Sequence, residues 1–133
     1  MQGEPLHKKI LVIEDEAAMR QILVDKFAWE GFTVLTAVDG EEGLQVSLRE
    51  HPDLIVLDIL LPKMDGLTML RALGEDEWGR EVPVVVFTNV SEASGITPTM
   101  KKNVVAFLPK AESDINALVG VVKDRLGAVR PDK

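Results

Sequence analysis

The chain has 133 residues, no cysteine and a formal net charge of −7, with 46% hydrophobic and 28% charged residues. That size and balance point to one globular domain over 1–133, with a core from about residue 8 to about 127, and they exclude disulfides and thiolate metal sites. The acidic surplus argues against direct nucleic-acid binding, and neither a membrane-length apolar run nor a signal peptide in Met1–Lys9 is present, so a cytoplasmic location is expected.

In chain order, Lys8–Glu14 contains Ile10-Leu11-Val12-Ile13 and reads as a buried strand. From Ala17 to Trp29, Met19, Ile22, Leu23 and Phe27 recur at helical spacing, and Gly31 ends that helix. Thr33–Ala37 is a second strand. Asp39-Gly40 makes a turn with Asp39 as N-cap of a helix over Gly40–Glu50, whose apolar residues include Leu44, Val46 and Leu48. Asp53–Asp58 is a third strand, stopped by Pro62-Lys63-Met64-Asp65-Gly66, and a short helix with Leu67, Leu70 and Leu73 begins near Gly66. Val82–Thr88 is a fourth strand and Val104–Leu108 a fifth. Ser113 or Asp114 then caps a last helix carrying Ile115, Leu118, Val119, Val122 and Leu126. Trp29 and Trp78 read as packing residues, Trp78 over a loop between Gly74 and Pro83, and His7 and His51 as surface residues.

Alternating strands and helices predict an α/β fold, a doubly wound five-stranded parallel sheet covered on both faces. Strands one, three and four are continuously apolar and belong in the middle. Pro109 closes strand five, which suits an edge. The order 2-1-3-4-5 meets these constraints and opens a crevice between the first and third strands.

Asp58 is the anomaly, a carboxylate at the end of an otherwise apolar strand, where burial costs several kcal/mol unless it is paired. Glu14-Asp15-Glu16 ends the first strand, Thr88 the fourth, and Lys110 follows the fifth. Unit charges about 4 Å apart repel by about 4 kcal/mol at an effective dielectric near 20, so carboxylates converging from two strands need more counter-charge than one lysine supplies. A hard divalent cation with few protein ligands and open water positions, magnesium, answers that need. A magnesium-bound aspartate is suited to covalent phosphoryl transfer.

At these residues the chain resembles the receiver domains of two-component response regulators. The matching pieces are Val12-Ile13-Glu14-Asp15-Glu16, the string Asp58-x-x-x-Pro62-x-Met64-Asp65-Gly66, Thr88, and Phe107 with Lys110, in register from about Lys8 to Leu126. The resemblance implies a flavodoxin-like fold in which Asp58 accepts phosphate from the phosphohistidine of a sensor histidine kinase or a phosphotransfer protein. It implies magnesium held directly by Asp15 and Asp58, with Glu14 assisting and the Leu60 carbonyl as a further ligand. Thr88 and Lys110 would serve the phosphoryl group, and Thr88 with Phe107 would be the coupled switch pair. Such a domain is a self-phosphorylating switch with slow autodephosphorylation and no turnover chemistry. Its downstream protein partner would bind the face of the family's fourth helix, fifth strand and fifth helix, and a phosphorylation-linked homodimer is compatible with it.

The sequence departs from the family in places. Where the fourth helix would run, Ser91–Met100 contains Gly95 and Pro98, at interior costs of about 1 and about 3 kcal/mol, so a short or distorted helix is expected. Ala111 follows Lys110 where the family usually has a cis proline, so that bond is expected to be trans. Leu60, Asn89 and Val90 stand at the pocket rim, and the apolar pair should slow the loss of phosphate by excluding water. Phe107 lacks the hydroxyl of the family's frequent tyrosine, so any switch there works by ring position. The rival reading is a receiver-like docking module that works without phosphorylation. A magnesium-dependent phosphohydrolase is disfavoured, since Leu60 stands where a second aspartate would be. A flavin carrier is disfavoured too, since no phosphate-cradling glycine loop follows the first strand.

Overall fold

The β-branched and leucine-rich runs bury themselves by pairing with one another. In the computed structural model, which describes residues 7–89, 102–110 and 115–127, β1 (Lys9–Ile13), β2 (Thr33–Ala37), β3 (Leu54–Leu57), β4 (Val84–Thr88) and β5 (Val104–Pro109) form one parallel sheet. Its order is β2-β1-β3-β4-β5, as the sequence predicts. Every residue of β3 and β4 is buried, whereas the edge strands β2 and β5 are largely half-exposed. Pro109 lies within β5 rather than just beyond it, at a sheet edge where a missing amide hydrogen is tolerated.

Four helices are seen among the described residues: α1 (Ala17–Trp29), α2 (Gly40–Glu50), α3 (Gly66–Gly74) and α4 (Ile115–Leu126). Side chains alternate along the strands, so the sheet feeds two cores. Leu11, Ile13, Ile55, Leu57, Val84 and Val86 pack with Val46 of α2 and with Met69, Leu70 and Leu73 of α3. Ile10, Val12, Leu54, Val56, Val85 and Phe87 pack with Leu23 and Phe27 of α1 and with Leu118, Val119 and Val122 of α4.

Asp39 caps α2 by accepting from the Glu42 amide at 2.7 Å, and the Glu42 carboxylate accepts in return from the amide of Val38, the residue before the cap, at 2.8 Å. Asp65 caps α3 in the same way through the Thr68 amide at 2.8 Å. The first residue of α2 abuts the loop after β3, because a Cβ on Gly40 would collide with the Met64 carbonyl. Gly40→Ala should therefore cost about 1–3 kcal/mol in overpacking. Urea unfolding checks this, and an unchanged midpoint would contradict it.

Some expected packing does not occur. Trp29 is 58% exposed and Ile22 49%, because the stripe α1 turns to the sheet is narrow and centres on Leu23 and Phe27. Ile22, Lys26 and Trp29 form the neighbouring row, with the Lys26 ammonium 5.6 Å from the Trp29 ring centre. Leu48 is likewise exposed on α2. Trp78 does pack, half-buried, but it stacks on His51 at 4.3 Å between ring centres, joining the end of α2 to the segment before β4. The expected features of the Ser91–Met100 helix, of Val90, of the Lys110–Ala111 bond and of the cap at Ser113 or Asp114 fall outside the described residues.

Candidate functional site

β1 and β3 are neighbours with Ile13 opposite Leu57, so the next residue of each, Glu14 and Asp58, leaves the sheet at the same level. Their backbones stay tied, the Glu14 amide donating to Ala37 O at 3.0 Å and the Asp58 amide to Ile13 O at 3.2 Å. Glu14 is 2% exposed and Asp58 6%, while Asp15, one residue further on, faces solvent. The last residue of β4, Thr88, is fully buried. Pairing of β4 with β5 carries one residue past Pro109, where the Lys110 amide donates to Thr88 O at 2.8 Å and sends the lysine over the crevice.

The two buried carboxylates share one ammonium. Lys110 Nζ lies 2.6 Å from Glu14 Oε1 and 3.1 Å from Asp58 Oδ2. The other oxygen of Asp58, Oδ1, accepts from the Thr88 hydroxyl at 2.6 Å and from the Leu60 amide at 3.2 Å. Thr88 Oγ1 in turn accepts from the Ile59 amide at 3.4 Å. Glu14 Oε2 accepts from the Glu16 amide at 3.1 Å. Among the described residues the Asp15 carboxylate has no hydrogen-bond partner.

Burial pushes the Glu14 carboxyl above its ordinary range, against the hydrogen bond from Lys110 and the Glu16 amide. Burial would lower Lys110, but the hydrogen bond to Glu14 and the charges of Asp58 and Glu14 outweigh it and hold the ammonium above its usual value.

Carboxylate oxygens of Glu14, Asp15 and Asp58 lie within 4.8 Å of one another, the one such acidic group among the described residues. Three carboxylates against one ammonium leave an excess of two negative charges. That donor set is all oxygen and includes one carboxylate free of partners, so it fits a hard divalent cation and gives a softer metal no nitrogen or sulfur ligand. Leu60, the further candidate ligand, is 61% exposed at the rim, with its amide turned to Asp58.

The sequence therefore picks out residues that the fold brings together: Glu14, Asp15, Asp58, Thr88 and Lys110 surround one crevice. Phe107 is half-buried opposite Val86, two residues back from Pro109, the partner of Thr88, so it adjoins the site without entering it. Arg20 escapes a reading by motif. Its guanidinium Nη1 donates to the carbonyls of Glu14 at 2.9 Å and Asp15 at 3.3 Å. A cation early in a helix opposes the helix dipole, and that broken local preference was the available signal.

A family model described as the response regulator receiver domain matches residues 10–123. Among curated proteins, the probable transcriptional regulator ycf27 of Porphyridium aerugineum is 42% identical over 87 residues, 65% of this chain and 35% of the relative. The response regulator PleD of Caulobacter vibrioides (strain NA1000 / CB15N) is 35% identical over 107 residues, 80% of this chain and 24% of the relative. The chain thus spans about a third or less of these relatives' lengths. Among solved structures, the receiver domain of the sensor histidine kinase PA1611 from Pseudomonas aeruginosa PAO1 superposes with a TM-score of 0.80. It is 22% identical, and the match covers 92% of this chain and 100% of that one; its structure has a magnesium ion coordinated in the active site cleft. At that identity the likeness speaks for the fold. No helix among the described residues is long and apolar enough to cross a membrane.

Proposed function

The chain belongs to the response regulator receiver domain family, and from that premise we propose that Asp58 is the phosphoacceptor of a two-component phosphorelay. The observation that carries this reading is the Asp58 carboxylate itself, nearly buried at the mouth of β3 and held between the Thr88 hydroxyl at 2.6 Å and the Lys110 ammonium at 3.1 Å. The donor is the phosphohistidine of a sensor histidine kinase or of a phosphotransfer protein.

Magnesium, held by the carboxylates of Asp15 and Asp58, the Leu60 carbonyl and Glu14 as an assisting group, would supply positive charge beside the incoming phosphoryl oxygens. A carboxylate oxygen of Asp58 acts as the nucleophile on phosphorus, forming the O–P bond as the N–P bond of the donor phosphohistidine breaks and its imidazole leaves. Lys110 already contacts Asp58, so it can pair with the charge of about −1.5 to −2 that a phosphoryl group brings. Once Asp58 carries the phosphoryl group as an acyl phosphate, the Thr88 hydroxyl, which now donates to Oδ1, donates to a phosphoryl oxygen instead. Its movement opens space beside β5 for the Phe107 ring, which has no hydroxyl to bond in either position. The change reaches the face of β5 and α4, where a downstream protein partner or a second copy of the chain gains or loses affinity. The shift is bounded by the difference in binding between the two states. The domain is thus a cytoplasmic switch that modifies itself rather than an enzyme with turnover.

Acetyl phosphate with magnesium should add one phosphoryl group to the intact mass, and EDTA added beforehand should prevent it. An unchanged mass under loading conditions would leave the docking module that needs no phosphate. The exposed apolar Leu60 at the rim hinders an in-line water, so the phosphorylated form should persist for minutes or longer. Following its decay after donor removal tests this, and a half-life of a few seconds would contradict it.

A further inference from the structure

The turn that carries Glu14 and Asp15 from β1 into α1 has little to hold it from the helix side. Glu16, the N-cap of α1, makes no side-chain cap hydrogen bond, and the first turn of the helix has no acidic residue. The bracing comes instead from Arg20, one turn into α1. Its Nη1 spans the carbonyls of Glu14 and Asp15, while its own amide donates to Glu16 O at 2.9 Å. A guanidinium is planar, permanently charged and poorly suited to the positive end of a helix dipole, so helix stability does not explain it there.

We propose that Arg20 is a positioning residue for the metal site. By bracing two successive carbonyls it fixes the peptide plane between Glu14 and Asp15, which turns the Glu14 side chain inward to Lys110 and leaves the Asp15 carboxylate facing the cluster. The inference rests on the reading of Glu14, Asp15 and Asp58 as magnesium ligands.

Two effects of Arg20 on a bound cation oppose each other. Its positive charge repels the cation, whereas its bracing prepays the ordering of Asp15. Arg20 is only half-buried, so solvent and salt screen the repulsion. The Asp15 carboxylate is exposed and has no partner of its own among the described residues. Besides Arg20, the turn around it is tied by the Glu16 amide on Glu14 Oε2, which holds Glu14 but not the carbonyl of Asp15. Positioning therefore wins, and losing Arg20 weakens magnesium binding even though it removes a like charge.

The test is calorimetric titration of magnesium into the parent, Arg20→Met and Arg20→Lys proteins, with thermal unfolding of the metal-free forms alongside. Arg20→Met should bind about tenfold more weakly or worse, the range usual for residues that orient metal ligands. Arg20→Lys, which keeps the charge but loses the planar fork, should fall between that variant and the parent, and the unfolding midpoints should stay close together. Arg20→Met binding as tightly as the parent, or more tightly, overturns the proposal while leaving the metal site intact. If Arg20→Met does not fold, Arg20→Lys decides, and parent-like affinity overturns the proposal. A parent that binds no magnesium overturns both this inference and the site reading beneath it.

Discussion

Lys110→Met should destabilise the metal-free protein by about 3–5 kcal/mol, the usual cost of removing one partner from a buried charge pair. The side chains involved are well buried, 11% exposed for Lys110, 3% for Glu14 and 8% for Asp58, and a single ammonium serves both carboxylates. Methionine fills a similar volume, so the loss is electrostatic rather than a cavity. The loss should depend on pH, with a sign that follows from the two shifts. Burial raises Glu14 above the ordinary carboxylate range despite Lys110, so the folded protein holds that proton more tightly than the unfolded chain does. This favours folding in acid and fades as pH climbs through the raised value. Without Lys110 the main lowering influence disappears and Glu14 rises further, so the variant's deficit should shrink under mild acid and be largest near neutrality. In the parent, burial opposes the Lys110 charge but the two carboxylates outweigh it. The stability that Lys110 supplies is therefore complete below the ordinary lysine range and lost as pH rises through its raised value. Urea unfolding of both proteins at about pH 5 and about pH 8 checks the prediction. A deficit below about 1 kcal/mol at both would mean that the pair is effectively solvated.

Asp58→Asn should abolish phosphorylation by acetyl phosphate and magnesium altogether while leaving the fold intact. The amide matches the carboxylate in shape, and its oxygen can still accept from Thr88, which donates to Asp58 Oδ1 at 2.6 Å. What it lacks is the anionic oxygen that attacks phosphorus. Intact-mass measurement after loading reads the outcome directly. A full phosphoryl gain in the variant would assign the acceptor to another residue, and Asp15, with its exposed carboxylate, would be the first to test.

Most of the crevice was legible because a parallel sheet converts sequence into position. Residues that end neighbouring parallel strands must emerge together, so Glu14 and Asp58 could be placed side by side from strand ends alone. The Asp58-to-Gly66 string added the loop that closes the third strand. Less accessible were the features set by three-dimensional reach. Arg20 turns back across the start of its own helix, and no periodicity encodes that bend. That Lys110 sits closer to Glu14, at 2.6 Å, than to Asp58, at 3.1 Å, is likewise set by side-chain reach across strands that no spacing in the sequence encodes. Ile22 falls at helical spacing and Trp29 reads as a packing residue because it is large and apolar, yet α1 buries only a narrow stripe. Apolar content alone did not say how wide that stripe would be.

Pairing between β4 and β5 slips by one residue between Val84 and Val85, so that Val84 faces Val104 while Val85 faces Ala106 and Val105 is skipped. Every residue from Ala106 onward is thereby delayed by one step, and one step in a strand exchanges its two faces. The slip thus works as a phase setting for the far end of the strand: it decides which side of the sheet receives the Phe107 ring and at what height the Lys110 arm departs. Were the strands to pair without the slip, Val85 would face Val105 and Phe87 would face Phe107. That would turn the aromatic ring to the other side and draw the ammonium one residue out of line with both carboxylates it now bridges, whereas deleting Val105 would remove the bulge and leave Phe107 opposite Val86.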